Sequence, residues 1–295
     1  MNQQDLVRVD MKRPPMRTAW YLRPLTYILS APDVRRHRAQ ITKIRTEGLK
    51  PPYMLLCNHN AFLDFKAASA DEINARLVSV FQYDEYAWQK ARGIRVTYKK
   101  RAEGLEKVLY QCAYCGAEYR MAAEGAALFC RACGKRWRYT ETGELCAEDG
   151  ETEFVHIPDW YEWERANVRA EVEAGTYDSG ELPVTVRSLP NAKRFLLLGE
   201  GTLRHSMDGF TVRGTDGDGD PFKMVKTVPS LYSCHIEYEY LGKFGDCVDL
   251  NTLEDTWYIY PHDCDFAVTK MALATEELYQ KWCRDTGHPN KPGLA

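Results

Sequence analysis

The 295-residue sequence has no run of about 18 apolar residues, the length a membrane-spanning helix needs. Its richest apolar stretch, Trp20 to Leu29, is short and broken by Arg23 and Pro24. The opening "MNQQDLVRVDMKRPP" has no apolar signal-type core, so the ten cysteines are expected in a reducing, cytoplasmic compartment rather than in a disulfide scaffold. A glycine-rich phosphate loop and a serine nucleophile elbow are both missing, as are internal repeats and low-complexity tracts. With a net charge of -3 and a pI near 6.2, the chain carries no overall signature of a nucleic-acid binder.

Charge is nonetheless unevenly placed. Residues 1–50 hold eleven Lys/Arg against four Asp/Glu, a balance of +7, which leaves -10 for the rest. Within this basic segment "MRTAWYLRPLTYIL" mixes Trp20, Tyr21, Leu22, Leu25, Tyr27, Ile28 and Leu29 with Arg17 and Arg23. That pattern suits a helix lying on an anionic membrane surface, or one packed on the first strand.

"QCAYCGAEYRMAAEGAALFCRACGKRW" supplies Cys112, Cys115, Cys130 and Cys133 as two CxxC pairs. Each pair lets two thiolates bend onto one ion, Gly116 and Gly134 relieve the turn that follows, and the intervening stretch has the length of a short hairpin. This is the spacing of a zinc ribbon with a structural Zn2+. Arg131, Lys135, Arg136 and Arg138 around the second knuckle would permit nucleic-acid contacts, although more often such a cluster is a solvated face. Cys57, Cys146, Cys234, Cys247, Cys264 and Cys283 show no ligand spacing and are expected as packed or free thiols.

Periodicity divides the rest. "ITKIRTEGL" and "PPYMLLCNH" read as strands. "SADEINARLVSVF" reads as a helix with Ile73, Leu77, Val80 and Phe81 on its apolar face, "DEYAWQKARG" as a further helical stretch capped by Gly93, "IRVTY" as a strand and "KKRAEGLEKVL" as a charged helix. "IPDWYEWERANVRAEVEAG" is expected as a helix capped by Asp159 and ended by Gly175. From about Leu182 short alternating strands follow, with a hairpin turning at Met207-Asp208-Gly209, and a last helix begins at "TKMALATEELYQKWCRD". "DGDGD", Asp216 to Asp220, lacks the glycine and glutamate of a calcium loop and reads as a solvated hairpin loop.

The strand series closed by one helix resembles the pleckstrin-homology-like architecture. At "YMLLCNHNAFLDF" the sequence resembles the first block of the glycerolipid acyltransferases of the 1-acylglycerol-3-phosphate type: an apolar strand, Asn58-His59, four residues, then Asp64. The resemblance runs from about Leu22 to Ala68. It implies that His59 acts as general base on a glycerol hydroxyl attacking an acyl thioester, with Asp64 orienting the imidazole, a geometry that a helix starting at the motif would provide. The implied substrates are acyl-CoA or acyl carrier protein and a glycerol-phosphate or lysophospholipid acceptor, at the cytosolic membrane face. The family's later phosphate-gripping blocks have no clear counterpart; Glu200, Gly201, Thr202 and Arg204 of "GEGTLRHS" come nearest, with Leu203 inserted.

The expected architecture is α+β and multidomain. It comprises an acyltransferase-like fragment (1–70), a helical connector (71–110), the zinc ribbon (111–150), a helix (151–182) and a β-rich domain with its C-terminal helix (183–295). Two functions follow. One is a phospholipid or glycerol acyltransferase-like protein; the other is a noncatalytic zinc-ribbon adaptor for a protein or nucleic-acid partner, of which nucleic acid is the less expected.

Overall fold

Alternation of β-branched and aromatic residues with polar ones from residue 182 onward builds the largest element of the structure, a computed structural model. The structure describes residues 84–189, 195–242, 244–252 and 255–289, the strands Leu55–Asn58 and Ala61–Asp64, and the helical positions Ala75, Leu77, Ser79 and Phe81. The chain divides into two units, 1–73 and 74–295.

In the first unit β1 (Leu55–Asn58) pairs antiparallel with β2 (Ala61–Asp64), Leu55 opposite Asp64 and Asn58 opposite Ala61. The apolar run is thus a strand as expected, and the four residues ending at Asp64 are a second strand rather than the start of a helix. His59, the expected strand at 41–49 and the basic segment at 17–29 lie outside the described residues.

The second unit begins with α1 (Glu85–Ala91), whose N-cap Asp84 accepts the Ala87 N–H at 2.9 Å, and Gly93 follows at φ 62°. The expected strand at 94–98 is absent; Val96 N–H donates to Glu141 O at 2.8 Å. The expected charged helix shrinks to α2 (Leu105–Val108), because Gly104 at φ 100° breaks the helical path.

Four short strands form the ribbon sheet in the order β3 (Met121–Glu124), β4 (Ala127–Cys130), β5 (Arg136–Tyr139), β6 (Leu145–Ala147). Leu128, Trp137 and Leu145 point to one side, where Ile157 and Trp160 of α3 (Ile157–Glu173) close a core with Leu109. Helix α3 starts two residues before Asp159, with Pro158 in its first turn where a missing N–H costs nothing.

Seven antiparallel strands make the main sheet: β7 (Leu182–Ser188), β8 (Leu196–Ser206), β9 (Gly209–Asp216), β10 (Pro221–Thr227), β11 (His235–Glu237), β12 (Cys247–Asn251) and β13 (Thr256–Pro261). Their order is β10-β9-β8-β7-β13-β12-β11, a four-strand and a three-strand meander joined where Val186 faces Ile259. Ser206 pairs with Gly209, so the expected hairpin turns on Met207 and Asp208.

Val184, Val186, Leu203, Val212, Val248 and Ile259 fill the inner face. Helix α4 (Val268–Thr286) adds Val268 and Met271 to that core and gives Leu273, Ala274 and Leu278 to a second one with Val168 and Val172 of α3. Being covered on two sides, α4 joins sheet and ribbon. Arg165 and Arg169 of α3 reach Glu276 and the fully buried Glu277 of α4, the Arg169–Glu277 pair bonding at 2.8 and 3.0 Å. Among the described residues no helix is long and apolar enough to cross a membrane.

Candidate metal centre

Each CxxC pair folds into the same turn. Cys112 N–H donates to Ala117 O (2.9 Å) and Gly116 N–H to Cys112 O (2.8 Å); Cys130 N–H donates to Lys135 O (3.0 Å) and Gly134 N–H to Cys130 O (2.9 Å). Both glycines have left-handed backbones, φ 75° and 79°, which a side chain would strain. The β3–β4 hairpin, with Met121 opposite Cys130, brings the second turn beside the first.

The four sulfurs converge. Cys112 Sγ lies 3.8 Å from Cys133 Sγ, Cys115 Sγ lies 3.8 Å from Cys130 Sγ, and all four fall within 4.8 Å of one another. A disulfide would need about 2.05 Å, whereas a tetrahedron of thiolates at a Zn–S distance of about 2.3 Å has edges of about 3.8 Å. These residues therefore form a four-sulfur arrangement able to hold a metal ion, without a free coordination position.

Cys112 and Cys130 are buried, while Cys115 and Cys133 face solvent. Burial pushes the Cys112 thiol up; a bound cation reverses that preference by favouring thiolate. Ala132 N–H donates to Cys130 Sγ at 3.4 Å. Behind the first knuckle, Glu164 accepts the Gln111 N–H at 2.8 Å and the Trp160 indole donates to Gln111 O at 3.0 Å. Trp160 also meets Trp137 edge-on, ring centres 4.9 Å apart.

The module is fastened to the sheet domain by charge. Arg120 grips Asp265 through two bonds of 2.9 and 2.8 Å, Lys270 of α4 reaches Glu118 and Glu171 at 2.9 Å, and Lys107 reaches Asp246 at 2.7 Å. No protein-family model, curated protein or solved structure matches this chain. The four-cysteine cluster thus stands on its own geometry.

Other expected site residues are placed differently. Asp64 ends β2, and the position of its partner His59 is outside the described residues. The Glu200–Arg204 stretch is strand β8 with its charges already engaged: Arg204 pairs with Asp178, and Glu200 accepts the Thr185 hydroxyl at 2.9 Å. Around the second knuckle Lys135 is spent on Asp149 O (3.0 Å) and Glu151 O (2.8 Å), and Arg136 on Glu148 (3.3 Å) and the Phe129 ring. The Asp216–Asp220 loop closes on itself, Asp216 Oδ1 accepting the Asp218 and Asp220 N–H groups.

Sequence spacing gave no sign of two groupings. His235 Nδ1 lies 2.8 Å from Asp249 Oδ2 with Glu237 nearby, because β11 and β12 pair His235 with Asp249. His156 sits between Asp84 (2.9 Å) and Asp159 (3.2 Å), tying α1 to the start of α3.

Proposed function

We propose that this chain is a noncatalytic binding protein in which a structural Zn2+, held by Cys112, Cys115, Cys130 and Cys133, fastens a ribbon onto a pleckstrin-homology-like domain. The observation that carries this reading is that thiols occupy all four corners of the site. Zn2+ with four sulfur ligands keeps no position for water or substrate, so its role is to hold the fold. The four-plus-three meander ending in α4 supports the domain comparison. The other described cysteines are free thiols, in keeping with a reducing, cytoplasmic compartment.

Metal analysis of protein purified under reducing conditions tests the assignment: one zinc per chain, lost in Cys112→Ser, is expected. Iron in its place would bring visible absorbance and overturn the zinc reading.

A second reading rests on Asn58-His59 and Asp64. In it His59 takes the proton of an acceptor hydroxyl, the alkoxide oxygen attacks the thioester carbonyl of acyl-CoA or acyl carrier protein, the C–S bond breaks and the thiol leaves with the proton. A transfer assay with lysophospholipid and glycerol-phosphate acceptors tests it. Wild type faster than His59→Ala would establish the enzyme; equal rates would leave the binding role alone.

A further inference from the structure

The most unusual surface of the second unit is not at the metal. Between residues 88 and 101, "WQKARGIRVTYKKR" carries six Lys/Arg and no Asp/Glu, in a chain whose net charge is -3. Every residue from 91 to 100 is exposed. Among them Ile94, Val96 and Tyr98 stand at alternate positions with 40%, 44% and 63% of their surface open to solvent. Phe81, expected on the buried face of its helix, is 51% exposed. Large apolar side chains left open in a row mark a contact surface.

Three of the six cations have carboxylate partners: Lys90 with Glu144 (2.5 Å), Arg95 with Glu141 (2.6 Å) and Lys100 with Glu103 (3.3 Å). Their side chains remain 62%, 70% and 62% exposed, and such pairs are weak and exchangeable. Lys99 has no carboxylate partner among the described residues, and Arg101 is held by the backbone carbonyls of Tyr139 (2.7 Å) and Tyr98 (3.3 Å). The strip is therefore cationic even after its pairs are counted.

We infer that residues 90–101 are a docking strip for an anionic lipid surface. Cations interleaved with Ile, Val and Tyr match the two components of that surface, since phosphate headgroups attract the Lys/Arg and the acyl boundary takes the apolar row. A nucleic acid would use the cations and Tyr98 but has no place for Ile94 and Val96. This names the partner that the binding-protein reading leaves open, and it rests on that reading. It is separate in sequence from the basic segment at 17–29.

The test is co-sedimentation of the full zinc-loaded chain with vesicles of phosphatidylcholine alone or of phosphatidylcholine with one quarter phosphatidylserine. Wild type is expected to bind only the phosphatidylserine vesicles and to lose binding at high salt. Lys99→Glu with Lys100→Glu should weaken it by tenfold or more, at about fivefold per charge near the surface. Ile94→Ser, Val96→Ser and Tyr98→Ser together should also weaken it tenfold or more with charge unchanged, while Arg213→Glu with Lys223→Glu on the main sheet should not. Zinc content and circular dichroism establish that each variant folds, and Lys99→Glu alone serves if the double variant does not.

Wild-type behaviour of both strip variants would overturn the inference. So would a lack of preference for phosphatidylserine, or tighter binding to a single-stranded oligonucleotide that ignores the apolar triple variant. A chain that binds vesicles through the strip yet holds no zinc would refute the metal reading alone. One that holds zinc and ignores vesicles would refute only the lipid strip.

Discussion

Glu164 Oε1, with no solvent exposure, accepts at 2.8 Å the backbone N–H of Gln111, the residue before the first cysteine of the four-sulfur cluster. Burial raises its pKa from 4.5 to about 9 against the opposing effect of the Gln111 and Tyr110 N–H groups, so the folded protein holds it neutral at pH 7. Between the unfolded and folded values the unfolded chain binds fewer protons, and stability falls as pH rises. Glu164→Gln mimics the neutral form. It should flatten that fall and stabilise the protein at pH 8 by about 1–3 kcal/mol, measured by urea unfolding at pH 5, 7 and 8; parallel pH profiles would disprove it.

His156 works in the same direction. Burial lowers its pKa, but Asp159 and Asp84 outweigh burial and leave it raised. The stabilisation is full below the unfolded value of about 6.5 and is lost as pH rises through the folded one. Hydrogen exchange in α1 should be slower at pH 6 than expected from intrinsic rates at pH 8, and His156→Gln should erase the difference.

The curl of the main sheet depends on close backbone approach at β8–β9. A Cβ on Gly201 would sit 2.1 Å from Arg213 O, and one on Gly199 2.0 Å from Thr215 O. Gly201→Ala should therefore cost about 2 kcal/mol or more, whereas Gly217→Ala, with open space around it, should be near neutral by thermal unfolding.

Ligand loss should be cooperative. Cys112 and Cys130 belong to the same buried core as Trp137 and Trp160, so metal removal reaches the α3 contact as well as the knuckles. Cys130→Ser should lower stability by at least about 3 kcal/mol and speed exchange through β3–β6. Protection unchanged from wild type would show that the ribbon core stands without the metal.

How legible all this was from sequence depended on the range of the signal. The CxxC turns, with Gly116 and Gly134 at positive φ, are local, and so are the Met207-Asp208 turn and the long α4. "IRVTY" alternates as a strand should, but among the described residues no neighbouring strand pairs with it, and pairing is not encoded within five residues. The Glu164–Gln111 bond spans 53 positions and His235–Asp249 arises from strand register; neither leaves a spacing to read. The pairing of Arg204 with Asp178, 26 positions apart, likewise follows from the fold.

The claim on which the rest depends is that four thiolates share one ion. Thiol titration of the native protein with parallel zinc release, under reducing conditions, addresses it directly. One zinc per chain is expected, released in step with modification of Cys112, Cys115, Cys130 and Cys133 and retained while they are protected. Zinc-free protein with all four thiols freely reactive, or a metal that stays bound after they are modified, would contradict it.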